Sequence, residues 1–208
     1  LINTGNISAQ GDITITNTAS GTGGTATVTF TGAANQTYTA SSGNDLNGLV
    51  TINKISGTVT LASNANWNAT SQNLTITSGT LNQGASFNLT TGALTVGAGG
   101  VLTNTGTGDI TLGGNVSNSG MIILDGSGAG CGGADAIVLT SNAASQRTWS
   151  GAGTFSLVDL AVSWMAGTIT TYNSTNSGNN TGWTFNSGCP SGNIIRGGVK
   201  IKGGVKFK

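Results

Sequence analysis

Histidine and glutamate are absent from this chain, proline occurs once, and only 6% of its 208 residues are charged. Each shortage excludes something. With no histidine, and Cys131 and Cys189 as its only thiols, the chain lacks the usual nitrogen and sulfur ligands of a transition-metal site. Ordinary soluble domains carry roughly 25% charged residues, so a chain this polar and this sparsely charged invites a reading as disorder. Disordered segments are typically rich in proline and net charge, whereas here the net charge is +1. No run of about 18 apolar residues occurs, so no helical membrane span is expected. The chain opens at Leu1 with neither a methionine nor a charged leader, so any export signal has been removed or was never included, and a processed, secreted protein is the expectation.

What the chain has in quantity is glycine, 36 copies, together with threonine, asparagine and serine. Threonine, valine and isoleucine are stiff at Cβ and favour pleated backbone, while glycine and asparagine accept the positive φ angles of tight corners. The mixture describes short strands joined by many turns. Those strands repeat. One column of apolar residues runs Val28/Phe30, Val50/Ile52, Leu74/Ile76, Leu94/Val96 and Val116, with steps of 22, 24, 20 and 22. A second holds Val59/Leu61, Leu81, Val101 and Ile122/Leu124, and a third holds Trp67, Phe87/Leu89 and Ile110/Leu112. Three columns sharing one period mean three strands per turn of a winding chain. The predicted fold is all-β: a right-handed parallel β-helix, or β-solenoid, with about 22 residues per coil and an extended basic C-terminal strand.

The domain reading follows from the same pattern. Residues 1–18, with Ile2, Ile7, Ile13 and Ile15, form either a first coil or a strand-forming arm, and residues 19–187 form the solenoid body. Within it, residues 134–186 carry three of the four tryptophans and are expected to be a wider or capping continuation rather than a small sandwich. Residues 188–208 are a linker and tail, because Pro190 between glycine-rich stretches breaks the ladder. Cys131 and Cys189 both sit in polar, glycine-rich turns and are expected to pair, closing a long loop and pointing to an oxidising compartment. Two unpaired buried thiols are the alternative.

The tail differs in kind from the body. It contains GGVKIK followed by GGVKFK and five of the seven basic residues; the body keeps Lys54 and Arg147 against six aspartates, so the body is −4 and the tail +5. Apolar or glycine residues occupy every odd position from Ile195 (Ile195, Val199, Ile201, Val205, Phe207), and basic residues or glycine every even one (Arg196, Lys200, Lys202, Lys206, Lys208). A strand has a side-chain period of two, so anchors and charges fall on opposite faces. One strand of about 14 residues would reach roughly 45 Å; alternatively, Gly203-Gly204 turns a hairpin. Three uses are open: strand addition to a neighbouring copy, with lysines meeting the acidic body; capping of the tail's own body; or a basic end that binds a cell surface or nucleic acid. Assembly is the leading expectation. Aromatic residues are too sparse for the stacking platforms of single-strand nucleic-acid binding, so no nucleic-acid partner is expected.

Chemistry is hard to find. Glycoside cleavage needs two carboxylates facing one another across a cleft, yet no two of Asp12, Asp45, Asp109, Asp125, Asp135 and Asp159 lie within nine residues of each other. Calcium wants several oxygen ligands, and the stretch from Asp125 to Asp135 lacks the repeated G-G-x-G-x-D pattern of calcium-binding rolls. No catalytic residue, metal or cofactor is therefore expected. Eight asparagines (Asn6, Asn35, Asn68, Asn73, Asn88, Asn115, Asn173, Asn179) precede x-Ser or x-Thr; glycosylation and an asparagine ladder stacked inside the solenoid both fit.

The ladder, the Gly/Asn/Thr bias and the stretch GDITLGGNVSNSGMIIL (residues 108–124) make residues 1–124 resemble the passenger and adhesin segments of bacterial surface β-helix proteins. The resemblance implies an extracellular structural or adhesive element. The GGVKIK-GGVKFK tail departs from that pattern. The functional expectation is a non-enzymatic, extracellular subunit that polymerises with copies of itself into a surface filament, by stacking of solenoid ends and strand addition by the tail. The alternatives are a monomeric adhesin binding cell-surface or matrix polysaccharide through Trp67, Trp149 and Trp164, and a polysaccharide-cleaving enzyme.

Overall fold

The structure, a computed structural model, describes residues 4–16, 25–40, 45–67, 72–128 and 130–190. Within them the chain is all-β with no helix, its parallel strands stacked in about 7 turns of about 22 residues: a β-solenoid. The tail residues Ile195, Val199, Lys200, Ile201, Lys202, Val205, Lys206, Phe207 and Lys208 lie outside the described residues.

Three ladders run the length of the molecule. The first joins Asn6–Ala9, Thr27–Phe30 and the opening residues of Val50–Leu61, Leu74–Asn82 and Leu94–Asn104. It continues through Val116–Asn118 and Arg147–Ser150 to the start of Met165–Tyr172. The second joins Ile13–Ile15, Gln36–Ala40, the closing residues of the three long strands, Met121–Asp125 and Thr154–Val158. The third joins Ala65–Trp67, Leu89–Thr91, Ile110–Leu112, Ile137–Ser141, Leu160–Ser163 and Thr175–Gly178. The segment from residue 4 to residue 16 thus pairs within the first coil on two ladders, and residues 137–186 continue the parallel stack.

The core is the sum of the inward positions. Val28, Val50, Leu74, Leu94, Val116 and Trp149 lie in register, as do Phe30, Ile52, Ile76 and Val96, and all are buried. Burying each such side chain stabilises by roughly 1.5–3 kcal/mol. Because the partners are alike from coil to coil, one inward pattern serves every turn. Glycine is required where the coil turns tightly. Gly79 has φ +81°, and a Cβ there would lie 2.7 Å from the Cβ of Lys54 in the coil before. At Gly92 a Cβ would lie 2.0 Å from the Gln72 carbonyl oxygen.

The second column needs one correction. The inward residue between Leu81 and Ile122 is Leu102, which is buried, while Val101 is half-buried on the outer side. The strand Leu94–Asn104 turns a corner at its glycines, where the register with Leu74–Asn82 shifts, and the inward phase then runs Leu102, Asn104. Buried Asn104 hid that phase. In the third column Trp67 registers with Thr91, and Phe87 precedes the strand and packs against the core from its edge.

Asparagine serves as backbone partner rather than stacking as one internal column. Asn35, Asn64, Asn73, Asn88 and Asn115 sit at corners, where each side-chain oxygen accepts an N–H from the next coil at 2.9–3.0 Å. Two others are inside. Asn104 and Asn118 are fully buried, and their amides donate to Gly108 and Thr154 carbonyls while accepting from Gly106 and Gly120 N–H groups.

Coil length changes along the axis. Val50 registers with Leu74 and Leu74 with Leu94, steps of 24 and 20, but Val116 registers with Trp149, a step of 33. Beyond that, Val158 registers with Tyr172 and Ala166 with Thr181, steps of 14 and 15. The expected wider region is therefore one expanded coil followed by shorter ones. Large aromatic side chains fill the interior there with fewer residues.

Candidate functional site: the braced C-terminal end

The expanded coil holds a loop after Asp125 whose described residues bond to side chains of successive coils. Its foot is Asp125, a buried carboxylate whose Oδ1 accepts the N–H groups of Ser127 and Gly128 and the Ser127 hydroxyl, and whose Oδ2 accepts Gly130 N–H. One coil further on, the fully buried Asp159 accepts Gly132 N–H at 3.2 Å and Gly133 N–H at 3.3 Å. One coil beyond that, the Asn173 side-chain amide donates to the Gly133 carbonyl at 3.1 Å and to Asp159 at 2.5 Å. Cys131 then bonds Cys189, with their Cα atoms 5.4 Å apart, at the end of the last strand. The expected disulfide is present. A buried carboxylate is tolerable only when hydrogen-bonded, and here each carboxylate accepts glycine N–H groups of the loop.

The short coils behind this brace enclose an aromatic cluster. Trp149 lies 5.7 Å from Phe155 and 5.4 Å from Trp183 in an edge-to-face arrangement, and Trp183 lies 6.2 Å from Phe185. The Trp149 indole N–H donates to Met165 Sδ at 3.2 Å, whereas the buried Trp183 Nε1 has no acceptor among the described residues. Beside the brace is an open polar depression of about 410 Å³ lined by Gly133, Asp135, Asn173, Ser174, Thr175 and Ser187.

The opposite region contains a second polar cluster. Asp45 accepts hydrogen bonds from the Tyr38 hydroxyl, the Trp67 indole at 2.9 Å, and the N–H groups of Leu46 and Asn66. Burial, reinforced by the Asp45 charge, pushes the Tyr38 hydroxyl well above the usual tyrosine range. Lys54 is buried with no carboxylate partner among the described residues. Its Nζ donates to the Thr31 and Ala34 carbonyls and to Gln36 Oε1, and desolvation lowers its pKa.

The residues picked from the sequence fare unevenly. Trp67 and Trp149 are buried core residues, 0% and 3% exposed, so these two expected sugar-stacking tryptophans are not on the surface, whereas Trp164 is half-buried. A tryptophan at an inward ladder position packs on the coils above and below it. Five of the six aspartates, Asp12, Asp45, Asp109, Asp125 and Asp159, each accept a backbone N–H. Among the described residues no group of three or more His, Cys, Asp or Glu side chains gathers as a metal site, and no helix is long and apolar enough to cross a membrane. Sequence reasoning missed the brace and the buried Lys54. The one available signal was Asp125-Gly-Ser-Gly, an aspartate followed by small residues, which is a turn in which the carboxylate bonds its own downstream backbone.

These features define a parallel β-solenoid stapled at one end. Comparison with protein-family models, with curated proteins and with solved structures finds no match to this chain.

Proposed function

We propose that this chain is a non-enzymatic, extracellular structural protein, the subunit of a surface filament built by end-to-end contact of solenoids with the basic tail as an added strand. The observation that carries the reading is the C-terminal edge. Thr175–Gly178 pairs only with Leu160–Ser163, and Thr181–Asn186 only with Met165–Tyr172, among the described residues. Unpaired strand edges are templates for a further strand, and heterologous contacts that do not close make filaments. The short coils at this end do not match the longer ones at the start of the first ladder, where Asn6 registers with Thr27 and Val28 with Val50. A stacked joint therefore needs a filling strand, and the tail has the alternation to be one. A disulfide at the surface fits secretion, and carboxylates already committed to backbone N–H groups leave little for acid–base chemistry.

A specific observation favours adhesion as a second reading. Ser8, Thr29, Thr51, Thr75, Thr95, Ser117 and Ser150 lie in unbroken register on the outer side of the first ladder. This uncharged hydroxyl row, at strand spacing of about 4.8 Å, suits a neutral polysaccharide. One experiment separates the readings. Light scattering and negative-stain imaging across a concentration series should show filaments of the full chain and none of a chain lacking residues 196–208. Monomers at every concentration, with polysaccharide retention unchanged by the truncation, would favour the adhesin.

A further inference from the structure

We infer that the tail closes its own solenoid, laying its apolar face over Trp183 and Phe185 and its basic face towards Asp135, so that a neighbour's tail enters only by exchange. The inference stands whether or not the protein polymerises.

Three features of the last coil converge on one occupant. Trp183 and Phe185 point into the core yet are only partly buried, and the Trp183 Nε1 is buried with no acceptor among the described residues. A buried indole N–H normally finds a partner, so the coil that carries Trp183 is incompletely satisfied where an added strand would pack. The two strands that end the stack have unpaired edges among the described residues. Asp135 has no hydrogen-bond or ion-pair partner among the described residues, and it lines the same depression as Ser187.

The place where the described chain stops is fixed. The bridge to Cys131 holds Cys189 beside the brace, and Ser187 lines the depression, so the last described residues lie next to it. The terminal coils, from Val158 to Tyr172 and from Ala166 to Thr181, each take less chain than the segment 191–208 contains, so it suffices for one more. Five of its side chains are basic, and the body is acidic. A tethered segment meets its site at an effective concentration on the order of millimolar. An untethered copy competes only near that concentration, so exchange between subunits is a domain swap.

Trp183 reports the contact directly. Nitrogen–proton correlation spectra of the full chain resolve one indole signal per tryptophan, with Trp183→Phe identifying its own. The comparison is the full chain carrying Val199→Asp, Val205→Asp and Phe207→Asp, all outside the described coils. At micromolar protein the Trp183 signal is expected to differ between the two, with hydrogen exchange at least about tenfold slower in the unsubstituted chain. An unchanged Trp67 signal confirms the fold of both. Identical Trp183 signals in the two chains would overturn the inference. A difference that appears only as concentration rises would also overturn it, assigning the site to a neighbour's tail and leaving the filament reading intact. Self-closure seen in a protein that never polymerises would sustain the inference and remove the filament.

Discussion

The coils between residues 45 and 118 and those between 137 and 186 share one fold but are held by different means. In the first group the first ladder buries a stacked series of valine, leucine and isoleucine, corners are tied by asparagine oxygens, and coil steps stay between 20 and 24. In the second, steps fall to 14 and 15, aromatic side chains fill the interior, and a loop with two buried aspartates and a disulfide crosses the coils. Stacked repeats contact only their neighbours, so their stability is close to a sum of nearest-neighbour terms. Where each coil is short, those terms are small. A brace that couples non-neighbouring coils compensates.

The comparison can be broken at either end. The largest effect is expected from Leu81→Ala in the regular coils, where a cavity between Val59 and Leu102 should cost about 2–5 kcal/mol. Denaturant unfolding should show it, and hydrogen exchange should place the loss in the coils flanking Leu81. An unchanged midpoint would mean that the regular ladder is not what holds this half together. Next, Cys131→Ser with Cys189→Ser should cost about 2–4 kcal/mol. Amides of residues 154–186 should exchange faster while those of residues 50–104 keep their protection. Uniform loss along the whole chain would deny the brace its local role.

The smallest effect sharpens the comparison through pH. The Tyr38 hydroxyl, held above its usual range by burial and by Asp45, stays protonated in the folded state after its unfolded counterpart begins to ionise near 10.0. Stability from this group is therefore fully present below pH 10 and is lost as pH rises beyond it. Tyr38→Phe should remove that alkaline slope at a cost of about 1.5–3 kcal/mol at neutral pH for a hydrogen bond to a charged acceptor. The same slope persisting in the variant would assign it to another group. The effect should be confined to the coils around Trp67, since nothing in the short coils shares the Asp45 cluster.

How much of this was legible in the sequence depends on whether a contact repeats. The first ladder could be read residue by residue because its inward positions are apolar in every coil. The second was displaced at Val101, where two apolar residues adjoin and a buried asparagine continues the phase. The disulfide could be expected from glycine-rich surroundings and redox logic. The brace could not, because carboxylates that gather glycine N–H groups occur once and carry no period. Trp67 and Trp149 were expected on the surface as sugar platforms, but a large aromatic at a strand's inward position fills the interior. The shortening of the coils was hidden as well, since fewer, larger side chains leave a sparser pattern with the same chemistry.

The disulfide also sets how the molecule bears load. A pull on the chain beyond Pro190 reaches Cys189 and crosses directly to Cys131. Everything between those two cysteines lies in a covalent shunt. The short coils therefore sit outside the line of tension, which enters the protein at residue 131.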